Sequence, residues 1–256
     1  MGLRLLQPES LRATAIQAEM SALRPDLLVV AAYGRIVPPA VLTTARMGGI
    51  NLHPSLLPAY RGAAPIQRAI ADGATTTGVS VIYLSDEMDA GDVILQRPVA
   101  IGPDETAGEL EARLADLGAQ MLVEAATLIA RGTAPRIPQD HSRATYSGKI
   151  SKADGRLDWS RPARELVNLV RAMNPWPCAF TTWEGSVVRV WRARPGSGNG
   201  MPGRVLSVDE EGIVVAAGEG AVVLLEIQPE GRRRMSSGEF LRGHALRAGA
   251  VLGAEV

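Results

Sequence analysis

DLLVVAAY, residues 26–33, decides the fold class. The run is apolar almost throughout and is closed by Gly34, Pro38 and Pro39. A continuous apolar run of this length is expected of a strand buried on both faces, and such strands belong to parallel sheets covered by helices. Outward from it, MGGINLHP (47–54), GVSVIYL (78–84) and DVILQRPVAI (92–101) read as three further strands. Helical signals alternate with them. PIQRAIADG (65–73) has proline at its start and glycine past its end, the usual asymmetry of a short helix. Residues 106–132 carry a capping-box pattern at Thr106 and Glu109 and one apolar stripe through Leu110, Leu114, Leu117, Met121, Leu128 and Ile129. Strands alternating with helices predict an α/β domain with a mostly parallel, Rossmann-like sheet.

The pattern changes after Gly132. Residues 133–150 are polar and proline-containing and read as a linker. A helix is predicted over 162–173, ending at NPWP, followed by AFTTW, SVVRVWRAR, GRVLSV, GIVVAAG and AVVLLEI with glycine turns between them. Five short strands with tight turns predict a small β-barrel of the OB type. The expected organisation is an α/β domain over 1–132, a linker over 133–150 and a barrel domain over 151–256.

The bulk properties narrow the function classes. The 256 residues are 46% apolar and 21% charged, an ordinary globular composition. No apolar run approaches the length that spans a bilayer, and MGLRLLQPESLR lacks the apolar core of a secretory signal. Cys178 is the sole cysteine, so no internal disulfide can form, which suits a reducing cytoplasm. Residues 1–150 carry a net charge of −2 (13 basic, 15 acidic) and residues 151–256 a net of +2 (14 basic, 12 acidic). That asymmetry is too small to argue for nucleic acid by itself. The three histidines are scattered and give no metal-ligand spacing, with His141 and His244 expected in solvent. Neither a GxGxxG nor a P-loop pattern supports nucleotide phosphate binding.

Asn51 and His53 stand two apart at the end of the second strand, so both project from one face while Ile50 and Leu52 face the other way. Pro54, Pro58 and Pro65 stiffen the loop that follows. SDEMDAGD (85–92) places four carboxylates after the third strand, at the same sheet edge, which is where open α/β sheets bind ligands. One of those carboxylates facing the imidazole would hold it and favour its charged form. An amide, an imidazole and a carboxylate can serve acyl transfer without a covalent nucleophile. A capping Asn-x-His pair and a solvated acidic turn account for the same residues without chemistry.

NLHPSLLPAYRGAAPIQRAI (51–70) followed by GVSVIYLSDEMDAGDVILQ (78–96) resembles the formyltransferases that use 10-formyltetrahydrofolate. The GAAPIQ segment and the later NPWP favour the members that formylate methionyl-tRNA, and the similarity runs over nearly the whole chain. The resemblance implies that Asn51, His53 and Asp89 are catalytic, that Ser55, Leu56, Leu57 and Pro58 line the folate site, and that Asp86 and Arg35-Ile36-Val37 complete that pocket. It implies 10-formyltetrahydrofolate as cosubstrate with no metal, initiator methionyl-tRNA as partner, no membrane association, a monomer, and a second domain that helps hold tRNA. The expected RNA contacts are Arg232, Arg233 and Arg234, with Lys149 and Lys152 beside the domain junction.

Two departures from the family pattern carry expectations of their own. Family members begin earlier, with a first strand, a helix, a second strand and a basic loop, so the true start is expected upstream of Met1. The strand at 26–33 would then be left with an unpaired edge, predicting poor solubility or low activity. Ala59 stands where the family often has a basic or bulky residue. The competing readings are a formyltransferase for another amine, such as a nucleotide-linked amino sugar, and a non-catalytic folate- or tRNA-binding remnant.

Overall fold

A computed structural model describes residues 2 and 4–254. The chain folds into two compact units. One takes the chain up to Pro65, Thr77–Val99 and Arg113–Ser147, and the other takes Ile66–Thr76, Ala100–Ala112 and the chain from Gly148 onward.

Through the first 147 residues the elements are α1 (Thr14–Leu23), β1 (Leu28–Ala31), α2 (Pro39–Leu42), β2 (Gly49–His53), β3 (Arg61–Gly62), α3 (Pro65–Ala71), β4 (Thr76–Tyr83), β5 (Val93–Ala100), α4 (Ala107–Ala130) and β6 (Tyr146–Ser147). The main sheet has the order β1-β2-β4-β5. β1 and β2 are parallel, with Leu28 opposite Gly49 and Ala31 opposite Leu52. β2 and β4 are antiparallel, with Ile50 opposite Tyr83 and His53 opposite Ser80. Tyr83 N donates to Asp92 O at 2.9 Å and Ile101 N to Thr75 O at 2.9 Å. These bonds pair the end of β4 with the approach to β5 and the reverse, so this neighbour is antiparallel too. The sheet is therefore mixed, against the expectation of a mostly parallel one. The connection from β4 to β5 is the short segment 84–92, and a parallel neighbour needs a crossover of a dozen residues or more.

The strand read as buried on both faces lies at the edge of this sheet. β1 alternates half-buried and exposed positions, and Val29 is 52% exposed. An apolar run reports strand propensity but not the strand's place in the sheet. β2, one position inward, is the protected one. Ile50 is fully buried, and Leu52 lies against Gly118 of α4, where an added Cβ would stand 2.5 Å from a Leu52 methyl. Asn51 and His53 consequently face the opposite side. α4 starts at the capping box read from sequence: Thr106 N donates to Glu109 Oε2 at 2.8 Å and Glu109 N to Thr106 Oγ1 at 3.3 Å. Leu110, Leu114 and Met121 of its stripe are buried.

The second unit contains α5 (Ala163–Ala172), β7 (Ala179–Trp183), β8 (Ser186–Gly196), β9 (Val205–Val208), β10 (Ile213–Ala216), β11 (Ala221–Pro229), β12 (Met235–Ser236) and α6 (Ser237–Gly243). The sheet order is β7-β8-β11-β10-β9, with β12 on β11. Val190, Val215, Val222, Leu224 and Ile227 fill its core beside Leu166 and Val170 of α5. The closed OB-type barrel is not found. Among the described residues β7 and β9 do not pair with each other, and the C-terminal segment lies between them instead. Val205 N donates to Ala250 O and Leu252 N to Gly203 O, both at 2.8 Å, on the β9 side. Gly253 N donates to Thr182 O at 2.8 Å on the β7 side.

Candidate active site

The site is built on the last residues of β2, within the first unit. Asn51 Nδ2 donates to Asp89 Oδ1 at 3.3 Å, and His53 Nδ1 lies 3.5 Å from Asp89 Oδ2. Asp89 Oδ2 also accepts from Gly62 N at 2.8 Å. The i, i+2 spacing thus brings the amide and the imidazole to the two oxygens of one carboxylate. An amide nitrogen carries two N–H donors, so the bond to Asp89 leaves Asn51 a second one.

His53 is 3% exposed. Its Nε2 is 2.9 Å from Tyr60 O. A carbonyl only accepts, so Nε2 carries hydrogen and Nδ1 turns toward Asp89. Burial holds the imidazole below its ordinary value, outweighing Asp89 and the Tyr60 carbonyl, which raise it; the Arg61 cation lowers it further. Desolvation therefore overrides the expected charged form. On acidification the unfolded chain binds this proton first, so the group's contribution to stability is present above pH 6.5 and is lost as pH falls through the lower folded value. Melting temperatures of wild type are expected to drop below pH 6.5 more steeply than those of His53→Gln. Equal slopes would contradict the burial argument.

Asp89 has φ +52°, a left-handed conformation uncommon outside glycine. Gly91, two residues on, passes so close to β4 that an added Cβ would stand 1.9 Å from Tyr83 O. The obstruction is backbone, so Gly91→Ala must displace the loop that carries Asp89. The expected cost is about 1–3 kcal/mol, read as a lower melting temperature; an unchanged melt would refute the close approach.

The comparisons with known proteins show the family. The family described as Formyl transferase matches residues 2–126, and Formyl transferase, C-terminal domain, matches residues 149–245. A protein of Aromatoleum aromaticum named methionyl-tRNA formyltransferase is 46% identical over 248 residues, covering 97% of this chain and 78% of that one. The chain belongs to the formyl transferase family. Among solved structures it is similar to HypX from Aquifex aeolicus in complex with tetrahydrofolic acid. The TM-score there is 0.68 and the identity 25%, over 90% of this chain but only 41% of that longer one. It is also similar to the methionyl-tRNA formyltransferase from Clostridium thermocellum, with a TM-score of 0.57 and 18% identity over 70% of this chain and 76% of that one, which bears on the fold alone.

The other residues that the family resemblance singles out are placed differently from the triad. Ser55 is fully buried, its hydroxyl donating to Ala59 O at 2.6 Å. Leu57 is buried against Ile82 and Val93, and Leu56 packs on Gly78. Ser80 of β4 and Gln96 of β5 hold this loop from beneath. Ser80 Oγ donates to Ser55 O at 2.6 Å and accepts from Leu57 N at 3.1 Å; Gln96 Nε2 donates to Leu57 O at 2.9 Å. Pro58 presents its carbonyl to Thr145 N at 3.2 Å. These contacts make 55–58 a braced loop next to His53. Arg35, Ile36 and Asp86 are exposed, and no contact among the described residues joins them to the triad.

Three further residues gather at the site from outside the expected set: Arg61, Gln139 and Ser147, all buried. β3 pairs with β6 in parallel, placing Arg61 opposite Tyr146 and Gly62 opposite Ser147. Ser147 Oγ donates to Arg61 O at 3.2 Å. Arg61 Nη2 donates to Gln139 Oε1 at 2.7 Å and reaches His141 Nδ1 at 3.3 Å. Gln139 and Ser147 fall in the polar stretch read as a linker, where no periodicity marks them as buried.

In the second unit the three-arginine turn is partly neutralised. Arg233 pairs with Glu239, and Arg234 pairs with Glu226 while lying over the Trp191 ring. Arg232 has no ion pair among the described residues. Lys149 and Lys152 are exposed. His244, expected in solvent, is half-buried and stacks on Phe240 with ring centroids 4.1 Å apart.

Proposed function

We propose that this chain transfers the formyl group of 10-formyltetrahydrofolate to the α-amino group of methionyl-initiator tRNA. The observation that carries the proposal is the convergence of Asn51 and His53 on the two oxygens of Asp89. The 46% identity to a protein named methionyl-tRNA formyltransferase supports the choice of acceptor. The folate donor is a substrate here, and it supplies a formyl carbon bonded to nitrogen. The donor set suits it: a neutral N–H beside a proton-accepting pair, in a loop with apolar backing.

The amine attacks the formyl carbon, and the bond from that carbon to the folate nitrogen breaks. Negative charge gathers on the formyl oxygen, where the second N–H of Asn51 donates. The amine must also lose a proton. His53 has its Nε2 hydrogen committed to Tyr60 O, so its Nδ1 edge and the Asp89 carboxylate form the accepting pair, which returns the proton to the folate nitrogen as its bond to the formyl carbon breaks. The braced loop 55–58 is the wall against which the pterin lies. Residues 1–132 supply most of the catalytic domain, 133–147 complete it by carrying Gln139 and β6, and 151–256 form the domain that holds tRNA. The enzyme works as a cytoplasmic monomer.

The test is to supply the purified chain with 10-formyltetrahydrofolate and either charged initiator tRNA or nucleotide-linked amino sugars. Formylmethionyl-tRNA is the expected product, with no formylated sugar. Transfer to the sugar alone would remove the acceptor assignment, and no transfer to either would remove the reaction.

A further inference from the structure

We propose that Gln139 is a positioning residue that locks Asp89 for catalysis by fastening together the two segments that grip it. The proposal rests on the formyl-transfer reading above. Gln139 is 7% exposed and uses its full hydrogen-bonding capacity inside the protein. Its Oε1 accepts from Arg61 Nε at 3.2 Å and Arg61 Nη2 at 2.7 Å. Its Nε2 donates to Asp89 O and to Gly91 O, both at 2.8 Å. One side chain therefore ties the loop 89–91 to the strand that carries Arg61.

Both ends of this tie adjoin groups that face the reacting atoms. The residues flanking Arg61 supply Tyr60 O to His53 Nε2 and Gly62 N to Asp89 Oδ2. Asp89 itself sits at φ +52°. A non-glycine residue in that region persists when its surroundings over-determine it, and the two bonds from Gln139 fix the carbonyls on either side of the Asp89–Ala90–Gly91 turn. Arg61 is 2% exposed, and its side chain bonds to Gln139 Oε1 and lies 3.3 Å from His141 Nδ1. Gln139 thus also holds a cation at a fixed distance from His53, whose proton affinity that cation lowers.

Gln139→Glu separates positioning from packing. Glutamate has nearly the same shape and still accepts both bonds from Arg61, but it has no N–H for Asp89 O or Gly91 O. Two buried carbonyl contacts turn repulsive, so the expected result is a lowered melting temperature, unchanged KM for 10-formyltetrahydrofolate and for methionyl-tRNA, and a kcat per folded molecule lower by about 10- to 100-fold. Gln139→Ala loses both halves of the tie and falls at least as far. If either variant melts low, kcat per folded molecule, with the folded fraction taken from the near-ultraviolet tryptophan signal, carries the same comparison. A Q139E enzyme with wild-type kcat, or one whose loss is all in KM, overturns the proposal. An inactive wild type in the same assay removes the formyl-transfer reading and this proposal together, whereas an active wild type beside an unaffected Q139E removes this proposal alone.

Discussion

Asn51→Ala lowers turnover by about 10²–10³, the size expected for one preorganised donor to a developing oxyanion, and leaves the fold intact. Asn51 is half-buried, and its one described side-chain bond runs to Asp89. Truncation therefore opens no large cavity and orphans no buried donor. The loss belongs to kcat, because an interaction that strengthens only as charge develops does not help the substrate bind. Single-turnover formyl transfer with saturating folate and tRNA measures it directly. A loss confined to KM would make Asn51 a binding group and would move the oxyanion elsewhere.

Asp89→Asn is the sharper substitution. It keeps shape and volume and removes charge. Asp89 accepts two hydrogen bonds, from Asn51 Nδ2 at Oδ1 and from Gly62 N at Oδ2, and His53 Nδ1 lies 3.5 Å from Oδ2. An amide offers one acceptor oxygen. If that oxygen stays on Gly62 N, the new NH₂ meets the NH₂ of Asn51, donor against donor. If it turns to Asn51, the NH₂ opposes Gly62 N. Either way one contact becomes repulsive, and the pair that receives the proton loses its anionic half. The expected loss in kcat is about 10²–10⁴, the range for general acid–base groups. Its pH profile should also lose the limb that reports this pair. Turnover within a few-fold of wild type would exclude Asp89 from proton transfer.

The elements were legible wherever a local period carried the information. α4 and its cap, α5, β4, β5 and the five strands from β7 to β11 all lie within a few residues of where periodicity and turn residues put them. Asn51 and His53 could be paired because strand alternation is itself a statement about faces. Strand direction was not legible. β1 has the composition of a central strand and occupies an edge, the margin that the family pattern leaves unpaired in this sequence. The choice of Asp89 among four acidic candidates came from resemblance, and spacing alone left it open.

Arg61, Ser80 and Gln139 depend on pairings that no window along the chain contains. The contact between β3 and β6 joins residues 61–62 to 146–147. Gln139 reaches back to residues 61 and 89–91. A buried amide in a proline-flanked polar stretch looks in sequence like any solvent-exposed glutamine. Its signal is the full set of internal partners, which exists only in three dimensions.

The strip 249–254 serves as a seam between two sheet margins. A proteolytic cut just before it would unfasten both margins in one event, and bare strand margins recruit one another between molecules. Loss of the strip is therefore expected to promote polymerisation, and a bulky fusion attached behind it would tug on the same stitch.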